Sequence, residues 1–278
     1  MERTDRLSQE ALFADASYSG YEHNLQIQPH LMAQYQRPKN MWNPRERIAS
    51  FLGPVAGKRV FDFGCGMGEE AMYFARMGAE VHAMDISSKG VNITRRRAQY
   101  DTLKVEARVG DVLNSGYQDN YFDLIHGIGI LHHVGLDPGL KEVHRLLKPG
   151  GRAAFLEHMS NSGMVDWFRS RLGRRETVSS GLLAINAAKA ITGAKTRCDV
   201  MTEGYTDYER PLTWKSCKSS VAKYGDVELY CYSLFYRLRR LVPAFGTRPI
   251  RILDHAILSA LPPLTHYAGL VVICIAKK

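Results

Sequence analysis

Four groups of residues have types and spacings that suit chemistry. Asp62 precedes Gly64, Gly66 and Gly68 in the stretch Val-Phe-Asp-Phe-Gly-Cys-Gly-Met-Gly-Glu, residues 60–69. Glycines so placed let the backbone turn tightly and approach a ligand, because no Cβ intervenes. Asp85 follows; a carboxylate there can accept both hydroxyls of a ribose. Asp111 follows in turn. His132, His133, Glu157 and His158 form the last group. Imidazole titrates near neutral pH, so these residues can take a proton from a reacting group. The ten histidines are scattered, and the five cysteines form no CxxC pair or zinc spacing. No metal site is expected from them.

Such groups act only if rigid elements hold them. Val60, Phe61 and Phe63 read as a strand buried on both faces, running into the glycine turn. A helix over 69–77, stopped by Gly78, follows, and its free N-terminal N–H groups face a polar ligand. The pattern then alternates. Strands are predicted over 80–85, 104–109, 121–126 and 151–156. Helices are predicted over 87–100 and 141–148, the second stopped by Pro149-Gly150-Gly151. Asn43-Pro44 caps a helix over 45–52. Strand and helix in alternation imply an α/β fold with a mostly parallel sheet, its ligand crevice at the carboxyl ends of the strands. Asp85, Asp111 and Glu157-His158 all fall at such ends. Each acidic residue also has a plainer reading: Asp85 as a helix cap, Asp111 as a turn residue.

Beyond residue 158 the alternation thins. Helices are expected over 164–172, 177–192, 236–241 and 250–261, and strands over 226–234 and 267–276. At the other end, Tyr18, Tyr21, His23, Asn24 and Tyr35 make residues 1–40 too aromatic for a disordered tail. That segment should fold over something, with Met1–Ala14 as a frayed terminus.

The whole chain has 278 residues, 45% hydrophobic and 23% charged, as expected of a soluble globular protein. The apolar run 268–276 is half of what a membrane helix needs. The polar start is no signal peptide, and reduced cysteines suit a cytoplasmic location. The net charge of +9 is uneven: residues 1–151 carry 18 Lys and Arg against 18 Asp and Glu, residues 152–278 carry 19 against 10. The basic half also holds Trp167, Phe168, Trp214, Tyr230, Tyr232, Phe235 and Tyr236. A basic, apolar surface suits a molecule with an anionic head and a hydrophobic body. A peripheral membrane contact and a homodimer are compatible with it.

Glu69 stands where the dinucleotide fingerprint needs its third glycine, and would repel a pyrophosphate. The pattern Asp-x-Gly-x-Gly-x-Gly, with Asp85, Gly110-Asp111-Val112, Phe122-Asp123, Leu131-His-His-Val134 and Leu147-Lys-Pro-Gly-Gly151, resembles class I S-adenosylmethionine (SAM) methyltransferases. The likeness covers residues 58–158 and lies near the ubiquinone and menaquinone methyltransferases. It implies a three-layer α/β sandwich with a seven-stranded sheet whose last strand runs antiparallel between strands five and six. It implies an N-terminal lid over 1–42, then a methyltransferase domain over 43–278 with a helical cap insertion near 160–225. SAM would lie on Asp62, Gly64, Cys65, Gly66, Gly68, Asp85, Ile86, Asp111, Val112, Gly127 and Ile128. Tyr18, Tyr21 and Trp167 would meet the acceptor, and His132, His133, Glu157 or His158 would serve as base. In the family the paired histidines also cap or pack their helix. The implied function is methylation of carbon or oxygen on a small acceptor, such as a secondary metabolite, prenyl diphosphate or quinone precursor. A non-catalytic SAM-binding scaffold and a nicotinamide oxidoreductase are the rival readings. Nucleic acid is disfavoured as a substrate, since no Asn-Pro-Pro-Tyr motif follows the fourth strand.

Overall fold

The computed structural model describes residues 3–27, 29–33, 35, 43–159, 212–221, 223–224, 226–233 and 247–278. Among the described residues seven strands form one sheet: β1 Arg59–Phe63, β2 Glu80–Asp85, β3 Val105–Val109, β4 Phe122–Ile128, β5 Leu147–His158, β6 Asp226–Tyr232 and β7 Leu270–Ala276. Their order is β3-β2-β1-β4-β5-β7-β6. The first five are parallel, and β7 runs antiparallel between β5 and β6. The strand order reverses between β1 and β4, so the crevice expected of an open α/β sheet lies beyond their carboxyl ends.

Alternation across each strand splits the core into two layers. Val60, Leu124, Ala154 and Cys274 belong to one apolar cluster. Phe61, Phe63, Ile125, Phe155 and Ile273 belong to the other. Helices α3 Pro44–Leu52 and α4 Glu69–Arg76 pack on the first layer, and α7 Leu136–Leu146 covers the second. The stripe Leu136, Leu140, Val143 and Leu146 on α7 is buried, as its helical spacing requires. Local chemistry fixes the helix starts. Asn43 accepts a hydrogen bond from Arg45 N (3.1 Å) ahead of Pro44. Ser87 accepts one from Gly90 N (2.9 Å) to cap α5 Ser88–Tyr100.

The structure moves several predicted bounds. Strand five begins at Leu147 rather than at 151, because Lys148-Pro-Gly-Gly continues the strand beside a register shift between Phe122 and Leu124. The helix before it is Leu136–Leu146, not 141–148. Strand six ends at Tyr232, and residue 234 is outside the described residues. Helix α9 runs Thr247–Ala260, and a 3-10 stretch Pro262–Tyr267 takes the residues expected to open β7.

The frayed terminus is a correction. Arg3–Ser17 is a helix, α1, that packs on α5. A short α2, Pro29–Ala33, follows. Of the expected cap insertion, Leu212 bridges to Met159, and α8 Trp214–Val221 packs on α7. The helices predicted over 164–172, 177–192 and 236–241, and Trp167, Phe168, Phe235 and Tyr236, lie outside the described residues.

Candidate functional site

The glycine loop leaves β1 and enters α4 with Gly64, Gly66 and Gly68 all at positive φ, between 50° and 81°. Its space is equally restrictive. A Cβ on Gly66 would lie 2.7 Å from Tyr18 Oη, and one on Gly68 2.5 Å from Thr94 Cγ2. The loop is tied to the second strand end. Asp85 accepts from Gly66 N and from Ser87 N, both at 2.8 Å. Burial raises the Asp85 pKa against these hydrogen bonds. Both Glu69 and Glu70 stand in the first turn of α4, which sets carboxylates, not free space, before a pyrophosphate.

Beneath the loop lies a polar cluster that the sequence did not reveal. Tyr35 Oη donates to Glu70 Oε1 (3.2 Å), and Arg45 pairs with the same oxygen (3.2 Å). Asp62 and His126 are register partners on β1 and β4. They are 2% and 0% exposed. Asp62 Oδ2 and His126 Nε2 have no hydrogen-bond partner. Burial, then the charges of Glu70 and Asp85, raises the Asp62 pKa well above its ordinary range. Burial holds His126 neutral, its pKa near 4, with Nδ1 on Ala154 O at 2.9 Å.

The second strand-end group sits beside the loop, since a Cβ on Gly64 would lie 2.6 Å from Ile130. Glu157, fully buried, accepts from Ile130 N (2.9 Å) and Leu131 N (2.8 Å) with Oε1. It thereby caps α6 Leu131–Val134. Its Oε2 lies 2.7 Å from His132 Nδ1. A neutral His132 that donates Nδ1–H to Glu157 Oε2 keeps Nε2 as the ring's proton acceptor. The His133 ring lies 4.2 Å from that of His132. Burial, then coupling to the neighbouring His132 imidazole, holds the His133 pKa at about 4. Burial lowers His158 as well. The structure therefore joins His132 and Glu157 directly, and keeps His133 and His158 as neutral neighbours.

The N-terminal segment spans both groups. Arg6 on α1 donates to His133 O. At the other end of α1, Asp15 accepts from Ser87 Oγ, Ser88 Oγ (3.0 Å) and Lys89 N (3.0 Å) at the start of α5. Burial opposes the charged form of Asp15, but these hydrogen bonds outweigh it and hold the carboxyl below its usual range. The Tyr18 ring packs against Gly66 and Gly90, on the glycine-loop side of the crevice. Tyr21, half-buried, donates its N–H to Tyr18 O at 3.3 Å. Asp111 accepts from Leu113 N (2.9 Å) and caps a 3-10 turn that carries buried Val112. Cys65 is buried, and burial raises its pKa well above that of a free thiol. Gly127 sits where a Cβ would meet Phe63 O at 2.7 Å, and Ile128 packs on the first core layer. Ile86 is half-buried, next to Asp85.

Sequence patterns missed Asp15, Arg45 and Glu70, because each acts through a partner remote in the chain. Glu70 alone carried a signal: a second acidic residue in the first turn of a helix that opens on a glycine loop. Among the described residues no cluster of His, Cys, Asp and Glu could hold a metal ion.

The geometry fits SAM. A positive-φ cradle, a buried unpaired acceptor on Asp62 suited to an ammonium group, and a carboxylate at the β2 end form one donor and acceptor set. Comparison with known proteins agrees. Residues 60–151 match the family model described as a methyltransferase domain. The methyltransferase GfsG of Streptomyces halstedii is 33% identical over 116 residues, covering 40% of this chain and 42% of that protein. The ubiquinone biosynthesis O-methyltransferase of Albidiferax ferrireducens is 35% identical over 130 residues, covering 43% and 49%. The chain thus spans about half the length of the curated relatives it matches. The geranyl diphosphate C-methyltransferase of Streptomyces coelicolor A3(2), solved with Mg2+, geranyl diphosphate and S-adenosyl-L-homocysteine, superposes with a TM-score of 0.59 at 16% identity, over 100% of this chain and 99% of that one. Residues 60–151 thus match a methyltransferase domain, and the fold is the one seen in solved SAM-dependent methyltransferases.

Proposed function

We propose that this chain uses its methyltransferase domain to move a methyl group from SAM to carbon or oxygen of a small, hydrophobic acceptor with an anionic group. One observation carries the catalytic reading: the Glu157–His132 pair, 2.7 Å apart and buried, beside the glycine loop. In this reading Asp85 meets the ribose. The 64–68 loop, Asp62 and Gly127-Ile128 meet the amino-acid end, and Ile86, Asp111 and Val112 border the adenine.

When bound, SAM supplies an electrophilic methyl on a sulfonium. The chain supplies alignment and dry surroundings, from which much of the rate of such a transfer comes. His132 takes the acceptor's proton at Nε2. Glu157 fixes the tautomer and stabilises the imidazolium that forms. For a phenol that proton leaves oxygen; for a prenyl alkene it leaves the carbon skeleton after methylation. Neutral His133 and His158 keep like charge away from His132. The uncharged roles of Tyr18 and Tyr21 are closure and packing, with Tyr18 on the SAM side.

The basic half of the chain supports an anionic acceptor. The names of relatives support the same class, since geranyl diphosphate and quinone precursors both join a hydrophobic body to an anionic or phenolic head. The capping of α6 by Glu157 would serve a SAM-binding scaffold as well; the 2.7 Å contact of its other oxygen to His132 is what favours catalysis. The test is methyl transfer from labelled SAM into prenyl diphosphates, quinone-precursor phenols and a fractionated lysate, with the product identified. Labelled product from an anionic hydrophobic acceptor is expected. Tight S-adenosylhomocysteine binding without any labelled product would favour the scaffold, and preference for a nicotinamide nucleotide would overturn both.

A further inference from the structure

Arg97 lies outside every motif of the sequence, yet it is among the largest fully buried side chains, 2% exposed. It projects from α5 between two segments far apart in the chain. Nε and Nη2 donate to Asn24 O in the N-terminal segment, at 3.1 and 2.9 Å. Nη1 donates to Met67 O in the glycine loop, at 2.8 Å. One turn earlier on the same helix, the Thr94 hydroxyl shares its proton between Gly90 O (3.0 Å) and Gly66 O (3.2 Å). Thr94 and Arg97 thus hold successive carbonyls of the loop from behind.

The planar guanidinium reaches both segments at once with fixed angles, which a lysine ammonium cannot do. Burial gives the contact its consequence. If the N-terminal segment leaves, both charge-assisted bonds to Asn24 O are lost together and the guanidinium is uncovered to water, which competes with Met67 O for its donors. The arrangement favours both carbonyls in place or both released. The segment has further anchors on α5: Asp15 at its start, Lys89 Nζ donating to Ser19 Oγ at 2.6 Å, Arg96 Nη1 donating to Glu22 O at 2.7 Å, and Gln26 Nε2 donating to Tyr100 Oη at 3.2 Å.

We infer that Arg97 is a positioning residue that couples closure of residues 3–27 to the shape of the glycine loop, so that the segment and SAM stabilise each other. The cofactor half of this inference rests on the proposed methyltransferase reading; the coupling itself does not.

The test uses hydrogen exchange of the full chain, first without ligand. Asp15→Ala frees the segment at its anchor on the start of α5. With Arg97 present, it should speed exchange at residues 64–68 as well as 15–27, by roughly the tenfold that one charged hydrogen bond represents. In Arg97→Lys the loop should already exchange faster, and Asp15→Ala should add nothing there. S-adenosylhomocysteine should then slow both segments in the wild type. In Arg97→Lys it should slow only 64–68, with Kd about tenfold higher. Unchanged exchange at 64–68 in Asp15→Ala would overturn the coupling, even if Arg97→Lys fails to fold. Equal protection of both segments by the ligand in wild type and Arg97→Lys would overturn it too. If the ligand does not bind the wild type, the methyltransferase reading falls, and the unliganded comparison still decides the coupling.

Discussion

The substitution Glu157→Gln separates catalysis from folding at this site. A glutamine keeps the volume, and its carbonyl oxygen can still accept from Ile130 N and Leu131 N, now 2.9 and 2.8 Å from Oε1. What changes is the 2.7 Å contact to His132 Nδ1. An amide nitrogen only donates, so the imidazole must turn Nδ1 into the acceptor and put its proton on Nε2, the atom needed as base. The negative charge that would steady an imidazolium is also gone. Charge-assisted hydrogen bonds contribute about 1.5–3 kcal/mol and neutral ones about 0.5–1.5 kcal/mol, so stability should fall by no more than ~2 kcal/mol. Loss of a positioned base costs roughly 10²–10⁴-fold in rate. The expected result is a kcat for labelled methyl transfer lower by that factor. Affinity for S-adenosylhomocysteine by calorimetry, and KM for SAM, should stay near wild type. A kcat within about threefold of wild type would refute base catalysis by His132 and leave Glu157 as a helix cap. Glu157→Ala is less informative, because it strands two buried N–H groups at the start of α6.

Two further outcomes follow from the same geometry. Asp85→Asn should raise the Kd for S-adenosylhomocysteine roughly 10- to 100-fold, since a charged partner is lost to the ribose and the Gly66 tether weakens; an unchanged Kd would remove Asp85 from the cofactor site. His126 is buried with its pKa lowered to about 4, so the unfolded chain takes up this proton first as the pH falls. Its stabilising contribution is present above about pH 6.5 and is lost between 6.5 and 4, at ~1.4 kcal/mol per pH unit. Denaturation from pH 7 to 4 should therefore show wild type losing stability relative to His126→Leu across that window, and parallel curves would show that His126 does not titrate on unfolding.

Legibility in the sequence followed the range of the interactions. Strand β2 runs Glu80–Asp85 as predicted, because every residue after Glu80 is buried and the alternation with helices is local. The glycine turn was equally legible, since a strand, three close glycines and a helix leave few other backbones. The sheet position of β7 came from family resemblance rather than from residue pattern. The long β5 was misread at its start because Pro149 and Gly150 usually stop an element, while here Lys277 O accepts from Gly150 N at 2.9 Å and keeps the ladder going. Helix α1 was missed for the opposite reason. Its Leu12 and Phe13 are exposed, so it lacks a buried apolar stripe and is held by Arg6 and Asp15 on partners 127 and 72–74 residues away. Asp111 shows how one residue satisfies two readings: the position at a strand end is as predicted, and the side chain there caps its own turn. The cluster of Tyr35, Arg45, Glu70 and His126 had no sequence signature, because four elements must meet before those side chains become neighbours.

The placement of β7 has a consequence for how the chain acquires its shape. Arg152 pairs with Ala276, and His158 with Leu270, so β5 must wait for a strand made over about a hundred residues later, and such long closures slow folding. During synthesis the edge of β5 would be open while the five parallel strands and the glycine loop are already complete. An open edge of this kind recruits other strands. Its protection in the cell would fall to whatever holds the nascent chain until Leu270–Ala276 pairs with both β5 and β6.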